Sequence, residues 1–88
     1  MDYRQLERTV RGFSNHRRIQ MLELLSRRPE LSVEEISSEF NINYKTASEH
    51  IRRLAITGLV LKRNEGNMVR HALTTRAKKV LKFLRTLE

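Results

Sequence analysis

Apolar residues recur every three or four positions over most of the chain, a spacing that predicts amphipathic helices. A first helix is predicted over about residues 2–11, where Tyr3, Leu6 and Val10 share one face. Gly12 is expected to end this helix, because glycine readily adopts the left-handed conformation that follows a helix.

Two further helices are predicted from their capping residues. Asn15 can cap a helix that continues to about Arg27. Ser32, with Glu35 three residues later, has the capping-box spacing and precedes an apolar pattern that stops near Phe40. The third helix is therefore expected to be short.

A fourth helix is predicted over about residues 44–57, after a cap at Asn43 and before a left-handed Gly58. At about 100° per residue, one line along this helix is apolar and is expected to be buried. That line holds Ala47, Ile51 and Leu54. A short helix, a turn and a second helix form the arrangement that presents one helix to the major groove of DNA.

A β-hairpin and a last helix complete the prediction. Strands are expected over about residues 59–63 and 68–73, with a turn over 64–67 in which Gly66 has a positive φ. A helix over about 75–87 follows. The predicted class is mainly α, in the order α-α-α-α-β-β-α, with the hairpin packed on the helices because two strands alone are unstable.

The charge of the 88-residue chain lies in one half of it. The formal net charge is +8, and residues 1–40 hold equal numbers of basic and acidic side chains, so the excess falls in residues 41–88. That half begins at the fourth helix, which favours a polyanionic partner over a basic surface that serves only solubility.

The outward face of the fourth helix carries the candidate DNA contacts. A helix in the major groove reads bases mainly from its N-terminal residues, whereas residues further along meet phosphates. The base-edge candidates are Tyr44, Lys45, Ser48 and Glu49; Thr46 flanks this face, and Arg52 and Arg53 are the phosphate candidates. Glu49 could instead form an ion pair on the helix with one of the two arginines, and this interpretation is slightly favoured.

The hairpin supplies a second set of candidate contacts, to the backbone or the minor groove. These are Arg63, Asn64, Asn67 and Arg70. Ile56 is apolar but faces outward, and the sequence offers no account of it.

Several motifs resemble those of winged helix-turn-helix transcription regulators, most closely the ArsR-like group. The motifs are FSNHRRIQML over residues 13–22, TASEHIRRL over 46–54, Gly58-Leu59-Val60, Glu65-Gly66 and Leu73-Thr74-Thr75. The resemblance covers about residues 13–76. It implies a single winged-helix domain, with the helix-turn-helix over about 32–57 and the wing over about 59–73, that binds double-stranded DNA and regulates transcription.

The resemblance also bears on metal binding. Metal-sensing members of the group carry a Cys-x-Cys pair where this chain has Ser32 and Glu34, or an Asp and His cluster on the last helix, which residues 75–88 lack. The three histidines, His16, His50 and His71, have no metal-ligand spacing. Neither a metal nor a cofactor is expected.

Both terminal helices carry apolar residues that could form a two-fold homodimer, as the resemblance implies. The candidate interface residues are Tyr3, Leu6, Val10, Val80, Phe83, Leu84 and Leu87. The alternative is that these residues only close the core of one protomer.

Other classes of protein fit the sequence less well. Ser48, Glu49 and His50 are consecutive on one helix and diverge, so they cannot form a catalytic triad, and no enzyme is expected. No cysteine and no membrane-length apolar run is present, so a cytoplasmic protein that joins the nucleoid when bound to DNA is expected. The alternative function is a winged-helix module that binds protein or RNA.

Overall fold

Five helices and one β-hairpin form in the predicted order, in a computed structural model that describes residues 1–88. They are α1 (Tyr3–Phe13), α2 (His16–Arg27), α3 (Val33–Phe40), α4 (Tyr44–Ile56), β1 (Val60–Glu65), β2 (Met68–Leu73) and α5 (Thr75–Arg85). The mainly α, winged helix-turn-helix fold is confirmed, with α3 and α4 as the helix-turn-helix and β1 and β2 as the wing.

A side-chain cap begins each of the five helices, including the predicted caps at Asn15, Ser32 and Asn43. The Ser32 hydroxyl accepts from the Glu35 backbone N–H at 3.2 Å, and the Glu35 carboxylate accepts from the Ser32 backbone N–H at 2.9 Å. The hydrogen bond from the Ser32 backbone N–H is also the main cause that lowers the pKa of Glu35, because it favours the ionised carboxylate, and the Ser32 side chain adds to this effect. The side chains that cap the other helices are those of Asp2, Asn15, Asn43 and Thr74.

The predicted ends of the two terminal helices are wrong by two residues each. Helix α1 does not stop at Gly12 but continues to Phe13, and Gly12 is buried inside it. A Cβ built on Gly12 would lie 2.7 Å from the Cβ of Thr57, so glycine is required here by the close approach of α1 to the end of α4. Helix α5 ends at Arg85, where the Thr86 hydroxyl donates to the Phe83 carbonyl at 2.6 Å.

The hairpin turn is shorter than predicted. Strand β1 continues to Glu65, so Asn64 lies in the strand opposite Val69 and not in the turn. Only Gly66 and Asn67 connect the strands, and Gly66 has a φ of +61°. A two-residue turn with positive φ matches the right-handed twist of the strands, which explains why pairing extends to the tip.

The core lies between α2, α3, α4 and the base of the hairpin. Its fully buried large side chains are those of Met21, Leu22, Leu24, Leu25, Ile36, Ile51, Leu54, Leu59 and His71. A single bridge pairs Leu31 with His71 and so joins the loop before α3 to β2. No local sequence pattern indicates this bridge, which fixes the wing on the helices and positions it beside α4.

Candidate nucleic-acid interface

Helix α4 is held by its inner face, which leaves the opposite face open. Ala47, Ile51 and Leu54 are fully buried, as the helical pattern predicts. At its start, the Asn43 side chain accepts from the Thr46 backbone N–H at 3.2 Å, and Asn41 has a φ of +51°, which turns the chain sharply out of α3. The orientation of α4 is therefore fixed by packing and by a local cap.

The exposed face of α4 carries all but one of the predicted contacts from this helix. Its exposed members are Tyr44, Lys45, Thr46, Glu49, Arg52 and Arg53, while Ser48 is half-buried. Lys45 lies in the first turn and makes no ion pair, so its ammonium group is available to a ligand. Tyr44, the first residue of α4, is 56% exposed. These side chains form one continuous polar surface.

Glu49 forms the ion pair that the sequence slightly favoured. Its carboxylate accepts from Arg52 at 2.7 Å and 3.0 Å and lies 3.4 Å from the Nε of Arg53. The two guanidinium groups lower the pKa of Glu49 to about 2, with the hydrogen bond from Arg52 as the main cause. Arg52 and Arg53 are thus held side by side by one carboxylate and partly neutralised by it.

The wing arginines also have carboxylate partners. Arg63 donates to Glu30 and to Glu65, both at 3.0 Å. Arg70 donates to Glu65 at 3.2 Å and to the Glu30 carbonyl at 3.0 Å. The pKa of Glu65 is lowered by Arg63 first and Arg70 second, so the network is ionised at neutral pH.

Two of the residues in this network were missed by sequence reasoning. Glu30 lies 33 residues before Arg63, so no local spacing could indicate the pair; its φ of +68° would have been unexpected for a non-glycine residue. Glu65 was seen only as part of the turn. Asn64 and Asn67 are exposed near the hairpin tip. Arg63 and Arg70 are held in place by their carboxylate partners.

A second missed contact supports α4 from behind. Arg18 on α2 lies 3.2 Å from the Nδ1 of His50, and its Nη2 donates to the Arg11 carbonyl at 3.4 Å. A guanidinium only donates, so the Nδ1 of His50 accepts and the proton of the neutral ring is on Nε2. Burial and the charge of Arg18 lower the pKa of His50. In the sequence, only the resemblance to the ArsR-like group points to this residue, because it places an arginine at position 18.

The two positions that carry cysteines in metal-sensing members of the group have other roles in this chain. Ser32 forms the capping box, and Glu34 is exposed on the first turn of α3. Nowhere in the 88 residues do three His, Asp or Glu side chains come together in a geometry that could hold a metal ion.

The predicted dimer residues divide into two groups. Tyr3, Leu6, Val10, Phe83 and Leu87 are exposed, whereas Val80 and Leu84 are half-buried and pack against the core. No helix has the length and apolar character of a membrane span.

Comparisons with known proteins agree with this geometry. The model of the arsR family of bacterial regulatory proteins matches residues 15–62, from the cap of α2 into β1. No curated protein matches the sequence significantly.

Solved structures give the same assignment. HlyU from Vibrio cholerae is 31% identical over 99% of this chain and 97% of its own, with a TM-score of 0.84. A transcriptional regulator HlyU from Vibrio vulnificus is 30% identical over 93% of this chain and 85% of its own, with a TM-score of 0.77.

A third similar structure is a homodimeric winged helix-turn-helix DNA-binding domain from Mycobacterium bovis. It is 28% identical over 94% of this chain and 77% of its own, with a TM-score of 0.86. The family and the fold are those of transcriptional regulators and not of enzymes. The chain belongs to the arsR family of bacterial regulatory proteins and is a DNA-binding transcription regulator of the winged helix-turn-helix type.

Proposed function

We propose that the protein binds double-stranded DNA sequence-specifically as a homodimer, with α4 in the major groove and the wing on the backbone or minor groove. The observation that carries this proposal is the exposed polar face of α4, which a fully buried apolar stripe holds in place. Polar side chains on a rigid helix can meet base edges at a low entropic cost. Neither a metal nor a cofactor is part of the proposal.

The roles of the α4 residues follow from their positions. Tyr44, Lys45 and Ser48 lie in the first two turns and reach base edges, with Thr46 beside them. Arg52 and Arg53 lie further along and bind phosphates, which fix the position of the helix without specifying a sequence. Glu49 acts by holding these two arginines rather than by reading a base, because its carboxylate is already engaged by both.

The wing has a similar division of roles. Its exposed tip residues, Asn64 and Asn67, contact the DNA directly. Arg63 and Arg70 contribute positive charge from fixed positions, since each is held by a carboxylate. The Arg63 pairs are exposed and so contribute only about 0–1 kcal/mol each, whereas Arg70 is less exposed and is also held by the Glu30 carbonyl.

The exposed apolar residues of α1 and α5 support the homodimer. Phe83 is 58% exposed and Val10 is 51% exposed, although both are apolar and lie near the chain ends. The similar domain from Mycobacterium bovis is homodimeric. A two-fold dimer places two copies of α4 about 34–36 Å apart, which corresponds to one turn of DNA. The target is then an inverted repeat, bound in the cytoplasm at the nucleoid.

Two variants test the roles of the α4 residues through binding to labelled duplex DNA over a salt series. Arg52→Ala should weaken binding to every sequence and reduce the slope of log affinity against log salt by about 1.8, because each protomer of the dimer loses one phosphate contact. Lys45→Ala should change the preferred sequence, at a cost of roughly 1–3 kcal/mol for the lost base contact.

The wild-type protein provides the test of the function itself. A salt-dependent affinity for duplex DNA is expected, and an absence of binding near 50 mM salt would refute the proposal. Tighter binding to structured RNA than to any duplex DNA would instead favour an RNA-binding module.

A further inference from the structure

Helix α1 has a basic face that the proposed dimer does not use. Arg4, Arg8 and Arg11 are spaced four and three residues apart, so they form one stripe along the helix. All three are exposed, and they lie on a different side from the apolar residues Leu6 and Val10. The helix is therefore basic on one exposed side and apolar on another.

The contact between Gly12 and Thr57 brings this basic face against α4. Because glycine has no side chain, α1 approaches the end of α4 closely enough for Gly12 and Thr57 to touch. An open cleft of about 280 Å³ results, lined by Arg8 and Arg11 from α1 and by Arg52 and Arg53 from α4. We call this feature the arginine cleft. Ile56 is its only hydrophobic lining residue.

The carboxylates near the arginine cleft do not balance its four cations. Arg11 pairs with Glu7 at 3.0 Å, and Arg52 and Arg53 share Glu49, while Arg8 makes no ion pair. Arg18 adds a fifth cation beside the cleft, since it donates to the Arg11 carbonyl and Arg53 contributes to the lowering of its pKa. An anion with several oxygens would relieve this repulsion and satisfy guanidinium donors.

We propose that the arginine cleft binds phosphates of the DNA backbone, so that α1 contacts DNA together with α4. This inference rests on the proposed function, because Arg52 and Arg53 belong both to the cleft and to the exposed face of α4. The lining argues for a phosphate ligand, since four of its seven residues are arginines and only one is hydrophobic. Ile56, which is 68% exposed, is placed to contact a deoxyribose beside that phosphate.

The test compares two variants that each remove two positive charges. Arg8→Gln/Arg11→Gln removes the α1 side of the arginine cleft, and Arg27→Gln/Lys79→Gln removes the same charge from exposed positions outside it. Binding of each full-length variant to the same duplex is measured by anisotropy over a salt series. Because each protomer of the dimer loses two arginines, the cleft variant should lose up to about 3.6 from the salt slope and roughly 10-fold or more in affinity at 100 mM salt. The control variant should lose much less of the salt slope and of the affinity.

Two further measurements exclude other causes of such a loss. Circular dichroism and light scattering establish that the cleft variant keeps its fold and oligomeric state. Arg8→Lys/Arg11→Lys, which preserves the charge, should keep most of the wild-type salt slope. The inference is overturned if the cleft variant and the control variant bind DNA with the same affinity and slope. If the wild-type protein itself binds no duplex, the proposed function fails first.

A titration of the DNA-free protein with inorganic pyrophosphate separates the two sources of phosphate. If the arginine cleft binds the DNA backbone, the cleft variant should lose DNA affinity whether or not the wild-type protein binds pyrophosphate. Loss of pyrophosphate binding together with a DNA salt slope equal to that of the control variant would overturn the inference and assign the cleft to a free phosphorylated ligand.

Discussion

Glu49 is the residue whose chemistry most affects how α4 meets DNA. An acidic side chain on a surface for a polyanion is unfavourable unless it has another partner, and here it holds Arg52 through two hydrogen bonds and Arg53 through a third contact. The two arginines lower its pKa to about 2, so the carboxylate is ionised at neutral pH. The ion pairs of Glu49 with the two arginines therefore reduce the positive charge of α4 without acting as a pH switch.

Replacement of Glu49 by glutamine distinguishes the ion pair from base reading. Glu49→Gln should raise the affinity for all duplex sequences and steepen the salt dependence, because two arginines are released for phosphate contacts. Anisotropy with several duplexes measures both effects. If Glu49 instead accepts from a cytosine amino group, the variant will lose roughly 1–3 kcal/mol on its preferred sequence only.

His71 is a buried residue that links stability to pH. It is 1% exposed, and its Nδ1 lies 2.8 Å from the Leu31 carbonyl, so Nδ1 carries the proton and donates. Burial is the main cause that lowers the pKa of His71, and the positive charge of Lys62 lowers it further. The unfolded chain therefore takes up a proton before the folded protein does as the pH falls.

The free energy of unfolding should decrease as the pH falls below about 6.5, by at most about 1.4 kcal/mol per pH unit for this group. His71→Asn keeps a donor near the position of Nδ1 but does not titrate, so it should show a smaller decrease. Urea denaturation at pH 7.5 and 5.5 compares the two proteins. The decrease will not vanish, because the pKa of His50 is also lowered. Equal decreases in the two proteins would contradict this role for His71.

At the scale of the elements, the packing of α1 on α4 depends on one glycine. Alanine has a higher helix propensity than glycine by about 1 kcal/mol, so propensity alone predicts that Gly12→Ala stabilises α1. The structure predicts the opposite, since the added methyl group would collide with the stiff, β-branched side chain of Thr57.

Gly12→Ala should lower the free energy of unfolding by about 1–3 kcal/mol, measured by urea denaturation. In a Thr57→Gly background the same substitution should cost much less, because the colliding side chain is gone. An equal cost in both backgrounds would show that the contact does not explain the effect.

The elements were predictable to the extent that their signals are local. Ser32 and Glu35, Asn43 and Gly58 act within a few residues of their own positions, so the sequence located α3 and α4 closely. The end of α1 was mispredicted because the partner of Gly12 is 45 residues away on another helix. Glycine as a helix end and glycine as a packing contact cannot be distinguished from the sequence alone.

The candidate site was predictable in the same way. Helical spacing identified which residues of α4 are exposed, including the pairing of Glu49 with its neighbours. It could not reveal that Glu30 holds Arg63 or that Arg18 supports His50, since these pairs are 33 and 32 residues apart. The arginine cleft was missed for the same reason, because it joins two helices that are distant in the chain.

At the scale of the whole molecule, the proposed mode of DNA binding requires a dimer through the terminal helices. Phe83→Asp places a charge in the proposed interface and should give a monomer, while the fold persists because the side chain is 58% exposed. Leu61→Asp is the matched control, since Leu61 is equally apolar and 60% exposed but lies on the wing. Sedimentation equilibrium measures both. A monomeric wild type, or a Phe83→Asp protein that stays dimeric, would contradict the interface.

The same dimer determines the form of the DNA target. Two copies of α4 related by a two-fold axis read the same sequence on opposite strands, so half-sites should be inverted and centred about 10–10.5 base pairs apart. A protomer alone would select a single half-site. The arrangement of the target thus reports on the dimer and on α4 together.

Selection of bound sites from random duplex DNA, with the wild-type protein and Lys45→Ala in parallel, tests the central claim most directly. We expect an inverted repeat with one-turn spacing for the wild type. We also expect a change at the same position of both half-sites for Lys45→Ala. A wild-type pool without a shared sequence, or the same sequence from both proteins, would contradict the assignment of α4 as the helix that reads DNA.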